Sequence, residues 1–145
     1  MDKFRLEFDF GLILPFVQSH IHGFASTEGM TGIGLCRDDQ LIAGVIFEGF
    51  NTKNIWMHVA AQPGAKWLVR SYLQACFHYP FITCGVDRIS GYVNESNTAA
   101  RKFDEHLGFH EEARLKGAAP DGKDVILYVM WRDDCRFIKE PNHGK

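Results

Sequence analysis

RISGYVNESNTAARKFDEHLGFHEEAR, residues 88–114, reads as strand, turn, helix, sharp stop and strand. Arg88–Val93 is short and apolar enough for a strand. Asn94, Glu95, Ser96 and Asn97 are turn and N-cap residues, whose side chains accept from the free N–H groups that open a helix. Ala99, Ala100, Phe103 and Leu107 then recur at helical spacing. Gly108 suits the left-handed residue that ends a helix, with Phe109 placed to fold back on Phe103. Downstream, Glu111–Lys116 reads as a strand, Gly117–Gly122 as a turn and Asp124–Trp131 as the partner strand.

Upstream, Phe4, Leu6, Phe8 and Phe10 alternate with polar residues, as in a strand. Leu12–Ile21 reads as a helix interrupted at Pro15, and Ser26–Gly32 as loop. Gly32–Cys36 and Leu41–Phe50 read as strands joined through Arg37-Asp38-Asp39-Gln40. The second run is apolar nearly throughout and predicts a central strand covered on both faces. Ile55–Ala61 predicts a further strand, with Trp56, His58 and Ala60 on one face and Ile55, Met57 and Val59 on the other. Pro63–Phe77 reads as a helix with Pro63 at its first position, and its apolar stripe runs Leu68, Val69, Tyr72, Leu73, Cys76 and Phe77. Pro80 marks its exit, and Phe81–Asp87 reads as a loop or as helix beyond a break.

The chain has 145 residues, 46% hydrophobic and 23% charged, which suits one folded domain over residues 1–139 with a polar tail at 140–145. A net charge of −2 gives no broad basic field, so nucleic acid is not an expected partner. No apolar run reaches membrane-spanning length, and the first residues lack the pattern of a signal peptide. Cys36, Cys76, Cys84 and Cys135 form no CxxC pair, which fits reduced thiols and a cytoplasmic setting. His20 and His22 have the spacing of ligands on a strand but no further ligand close in sequence, so no metal is expected.

Val93-Asn94-x-x-Asn97-x-x-Ala100-x-x-Phe103, closing on Leu107-Gly108-Phe109, resembles the second conserved block of the GNAT N-acetyltransferases. The resemblance covers roughly residues 30–137. It implies an α/β (α+β) fold: a mixed, mostly antiparallel sheet with helices on both faces. One parallel pair, the strands of His58 and Ile89, would splay to admit the acyl coenzyme. It also implies an acetyl-CoA-dependent N-acyltransferase acting on a small-molecule or protein amine by direct attack. The family usually has two helices after its first strand, and here that segment is short.

The resemblance places the pyrophosphate loop at Gln62–Trp67. A Gln/Arg-x-x-Gly-x-Gly/Ala pattern is usual there, but this chain has Ala65 and Trp67 at the glycine positions. Gly64 still allows close backbone approach, and Lys66 and Arg70 are cations suited to phosphate. Val59, Ala60 and Ala61 would offer backbone groups to the pantetheine arm. Asn97 maps onto the family's coenzyme-contacting Asn, and Arg101 lies one turn beyond it.

His58 is the candidate base, since an imidazole titrating near neutrality accepts an amine proton. Each of these residues also has a plain structural role open to it: His58 as a hydrogen-bonded strand residue, Asn97 as a helix cap, Lys66, Arg70 and Arg101 as solvated cations. Where the family often has a Tyr acid, this chain has Asp104, which if ionised cannot protonate a thiolate; Tyr92 and Cys84 are the alternatives. The altered loop and missing Tyr leave open a binding module without coenzyme chemistry, and the fold also allows an unusual acceptor such as a nucleobase. Exposed aromatics suit a homodimer.

Overall fold

Alternation ends sooner than the sequence suggests. The structure, a computed structural model, describes residues 3–139, and the predicted tail at 140–145 lies outside them. Strand β1 is Phe4–Glu7 only, because the Asp9 carboxylate accepts from Gly11 N (2.9 Å) and caps helix α1, Phe10–His20. Pro15 lies inside α1 without ending it, and the helix buries Ile13 and Val17. One helix, not two, precedes strand β2, Thr31–Arg37. Asp38 and Asp39 both have positive φ and turn the chain tightly into strand β3, Gln40–Glu48.

Strand β4, Asn54–Ala61, follows an Asn51 turn whose side chain accepts from Lys53 N and Asn54 N. The predicted helix over 63–77 starts late. Gly64 takes φ +78, Ala65 N donates to Gln62 O and Val69 N to Trp67 O, so 62–69 is an irregular loop and helix α2 is Arg70–His78. Tyr72, Leu73, Cys76 and Phe77 of the predicted stripe are buried; Leu68 is exposed. Tyr72 Oη donates to Ile33 O (2.8 Å), tying α2 to β2. Pro80 does not end the helix. The chain widens into a π-helical turn, Tyr79–Thr83, which buries Phe81.

Strand β5, Arg88–Asn94, helix α3, Thr98–Leu107, strand β6, His110–Leu115, and strand β7, Val125–Trp131, match the reading of the opening stretch closely. Asn97 caps α3, its Oδ1 accepting from Ala100 N. Gly108 is left-handed at φ +113, and Phe109 N donates to Asp104 O. The Phe109 ring meets Phe77 at 6.1 Å between centroids, so α3 locks onto α2 beyond its own last turn.

The seven strands form one sheet in the order β1-β2-β3-β4-β5-β7-β6. Among the described residues, only β4 and β5 run parallel. One face carries α2 and α3 over Val45, Phe47, Ile55, Met57, Ile89 and Tyr128. The other carries α1 over Ile46 and Ala60. Gly32, Gly34 and Gly44 form the seat of α1: a Cβ on any of them would meet Ile13 at 3.2–3.3 Å. Among the described residues no helix is long and apolar enough to cross a membrane.

Gly108→Ala should cost about 1–2 kcal/mol, because a Cβ strains the left-handed cap. Urea unfolding should show the midpoint falling at unchanged slope, and an unmoved midpoint would contradict the cap's role.

Candidate functional site

β4 and β5 pair at Asn54↔Arg88, Ile55↔Ile89 and Trp56↔Ser90, then part. Met57–Ala61 of β4 pairs only with β3 from there on, and Gly91–Asn94 of β5 only with β7. A wedge therefore opens in the sheet, flanked by unpaired main-chain groups from Val59, Ala60 and Ala61. Gly91 sits where it begins, and a Cβ there would lie 3.4 Å from Met57 O.

His58 borders this wedge on the α1 face. It is 8% exposed, and its Nε2–H donates to Glu48 Oε2 at 2.5 Å. The carboxylate accepts only, so the proton belongs on Nε2 and Nδ1 is left as an acceptor. Burial holds the imidazole below its ordinary range, with the Glu48 hydrogen bond pulling the other way. Glu48 also accepts from Thr27 Oγ1 at 3.3 Å. Phe24 and Tyr92 meet the His58 ring edge-on, at 5.1 and 5.5 Å between centroids. Tyr92 projects from β5, so the two sides of the wedge face each other through His58 and Tyr92.

On the opposite face the wedge lies beside α3 and the loop 62–69. Gly64, Ala65, Lys66 and Trp67 belong to this loop rather than to a helix start, and Arg70 is the first residue of α2. Trp67 reaches across to α3, its ring 4.5 Å from Phe103 and 6.4 Å from Tyr72. Asn97 is engaged in capping. Arg101 Nη1 donates to Glu95 O at 3.3 Å, while its Nε is buried with no hydrogen-bond partner. The fold thus brings His58 and Val59–Ala61 to one edge of the wedge, while Trp67 packs on Phe103 of α3.

Two features escape a sequence reading. Glu48, the partner of His58, ends an apolar run ten residues earlier. Asp104 is not the simple ionised carboxylate expected: burial first, then the neighbouring Glu105, pushes its carboxyl up to about 7. Burial thus favours its protonated form well above the usual carboxylate range. His20 is not on a strand either; it ends α1 with Nδ1 beside Phe16 O. A cavity of about 800 Å³ lies elsewhere, between Phe8, Thr31, Tyr79 and Phe137, and contains none of the predicted site residues.

Strand order, the single parallel pair and its parting are those of the GNAT fold, and the chain has that fold. Solved structures of the spermidine N-acetyltransferase SpeG from Vibrio cholerae share it. A complex with CoA and spermine superposes with a TM-score of 0.72 at 15% identity, covering 94% of this chain and 98% of that one. A point mutant gives 0.74 at 15% identity over 90% and 94%. A dodecameric form gives 0.71 at 16% identity over 90% and 94%. No family model matches the chain, and no curated protein matches it in sequence.

Asp104 makes a signed prediction. Its folded-state value lies above the unfolded one, so the folded chain holds a proton that the unfolded chain releases, and stability falls as pH rises from 3.8 through about 7. Asp104→Asn should be more stable than the parent by about 2–4 kcal/mol near pH 8, with the difference vanishing near pH 4. Urea unfolding at both pH values reads it; a pH-independent difference would refute the burial argument.

Proposed function

We propose that the protein is an acyl-CoA-dependent N-acyltransferase, with acetyl-CoA as the acyl donor and a primary amine as acceptor. The observation that carries this reading is the wedge between β4 and β5 beside the His58–Glu48 pair. Unpaired strand groups at Val59–Ala61 suit the amide-bearing arm of coenzyme A, which can hydrogen-bond as a substitute strand. Gly64, Ala65, Lys66, Trp67 and Arg70 border the end of that path, and Lys66 and Arg70 supply charge for phosphate. Asn97 and Arg101 form its α3 side. The SpeG structure holding CoA and spermine supports a coenzyme and an amine on this fold.

In the reaction, the amine nitrogen attacks the thioester carbonyl, the C–N bond forms and the C–S bond breaks. His58 takes the amine proton, and Glu48 stabilises the imidazolium that results. Below its ordinary range, His58 stays neutral near pH 7 and ready to accept. The departing thiolate takes a proton from water or from Asp104, whose burial keeps part of it protonated. The four free cysteines support a reducing, cytoplasmic setting. A second reading, a binding module without coenzyme chemistry, is favoured by one observation: Trp67 bridges to Phe103 on the coenzyme's side of the wedge.

Titration calorimetry with acetyl-CoA separates the two. The transferase reading expects saturable binding, and no heat at millimolar ligand would leave the module. His58→Gln should lower turnover by about a hundredfold or more while changing coenzyme affinity little. Unchanged turnover would remove His58 from the chemistry.

A further inference from the structure

The mouth of the wedge on the α1 face is aromatic. Asn54, Trp56 and His58 lie on the same face of β4, where same-face neighbours are about 6.6 Å apart. Tyr92 joins the last two, its ring 5.5 Å from His58 and 6.1 Å from Trp56, and it is 52% exposed. Beyond Trp56 the same face continues into a cavity of about 330 Å³ lined by Asn54, Trp56, Arg88, Ser90, Glu112 and Leu127. That volume is at the small end of ligand pockets, which run roughly 300–1,000 Å³.

Charge is distributed along this path in one direction. Glu48 stands at the His58 end with its side chain 25% accessible, so the anion that would attract an ammonium is beside the base. At the far end Glu112 is already taken: it accepts twice from Arg88, at 2.8 Å each. Ser90 donates to Asn54 Oδ1 at 2.5 Å, so that pair is also satisfied. Among the described residues lining the cavity, no unpaired anion remains for a second cationic nitrogen, since Arg88 and Glu112 neutralise each other. A polyamine, with positive charges repeated along its length, meets one carboxylate and then an ion pair already closed on itself. An aromatic ring instead meets the Trp56, Leu127 and Tyr92 side chains.

From this arrangement we infer that the acceptor is an arylalkyl monoamine. Its amine lies against Nδ1 of His58, the acceptor left free by the Nε2–Glu48 hydrogen bond, and its ring extends past Trp56 toward Leu127. This inference rests on the acyl-transfer reading for its chemistry but on the Trp56–Tyr92–Leu127 surface for its specificity.

The test compares phenethylamine, propylamine and spermidine as acceptors at saturating acetyl-CoA, by thiol release. kcat/KM should be highest for phenethylamine, by at least about tenfold, the equivalent of one ring contact at 1.4 kcal/mol. Trp56→Ala and Leu127→Arg, each checked for native circular dichroism, should raise KM for phenethylamine about tenfold and leave KM for propylamine within about threefold. Preference for spermidine, or equal use of all three amines, overturns the inference while leaving acyl transfer standing. If acetyl-CoA binds but no amine releases thiol, the acyl-transfer reading fails. The specificity is then decided by saturation-transfer NMR on phenethylamine. Ring-proton transfer lost in Trp56→Ala supports it, and no transfer overturns it. A dimer that dissociates in Leu127→Arg, with no amine bound, would give the surface to a second copy and also overturn it.

Discussion

Two parallel strands that cease to pair after Trp56 and Ser90 set the terms for everything else in this molecule. Strand groups left without partners are costly unless water or a ligand meets them. A gap in the middle of a sheet would ordinarily close. Here it is held open from outside. β4 is fixed to β3 from Glu48↔Trp56 to Ala43↔Ala61, and β5 is fixed to β7 along its whole length. Neither strand can lean inward without stripping a ladder on its outer side.

Onto this frame the hairpin of β3 and β4 places its polar groups. Glu48 stands opposite Trp56, one diagonal step from His58 on the same face. Carboxylate and imidazole therefore meet through sheet register rather than through a loop, and the meeting point is the edge of the gap. The loop after α1 adds Thr27 to the carboxylate and Phe24 to the ring, excluding water from one side of the imidazole. Desolvation then keeps the ring neutral in spite of its acidic partner, which is the state a proton acceptor needs.

The opening stretch was legible because its signals are local. Asn97 caps, Gly108 stops, and the apolar spacing between them has no competing reading. The start of α2 was not legible for the same reason: Pro63 has the chemistry of a first helical residue, and nothing in the sequence says that Gly64 turns left-handed behind it. His58 could be singled out by type and by strand face. Its partner could not, because pairing Glu48 with it requires knowing that the Asn51 turn sets Glu48 across from Trp56. The altered character of Asp104 was equally hidden, since burial belongs to the packed molecule and not to any motif.

The seat beneath α1 has a consequence for descent with change. A Cβ on Gly32 or Gly44 would press on Ile13 or Val17 at 3.1–3.3 Å, and one on Gly34 would press on Leu41 and Ile13. A methyl gained on the strands must be matched by one lost from the helix, so the two surfaces can drift only in concert. The segment that delivers Phe24 and Thr27 hangs from the end of that helix. Lineages that altered the seat would shift this segment bodily, and with it the wall that an incoming acceptor meets, without touching a single residue beside the imidazole.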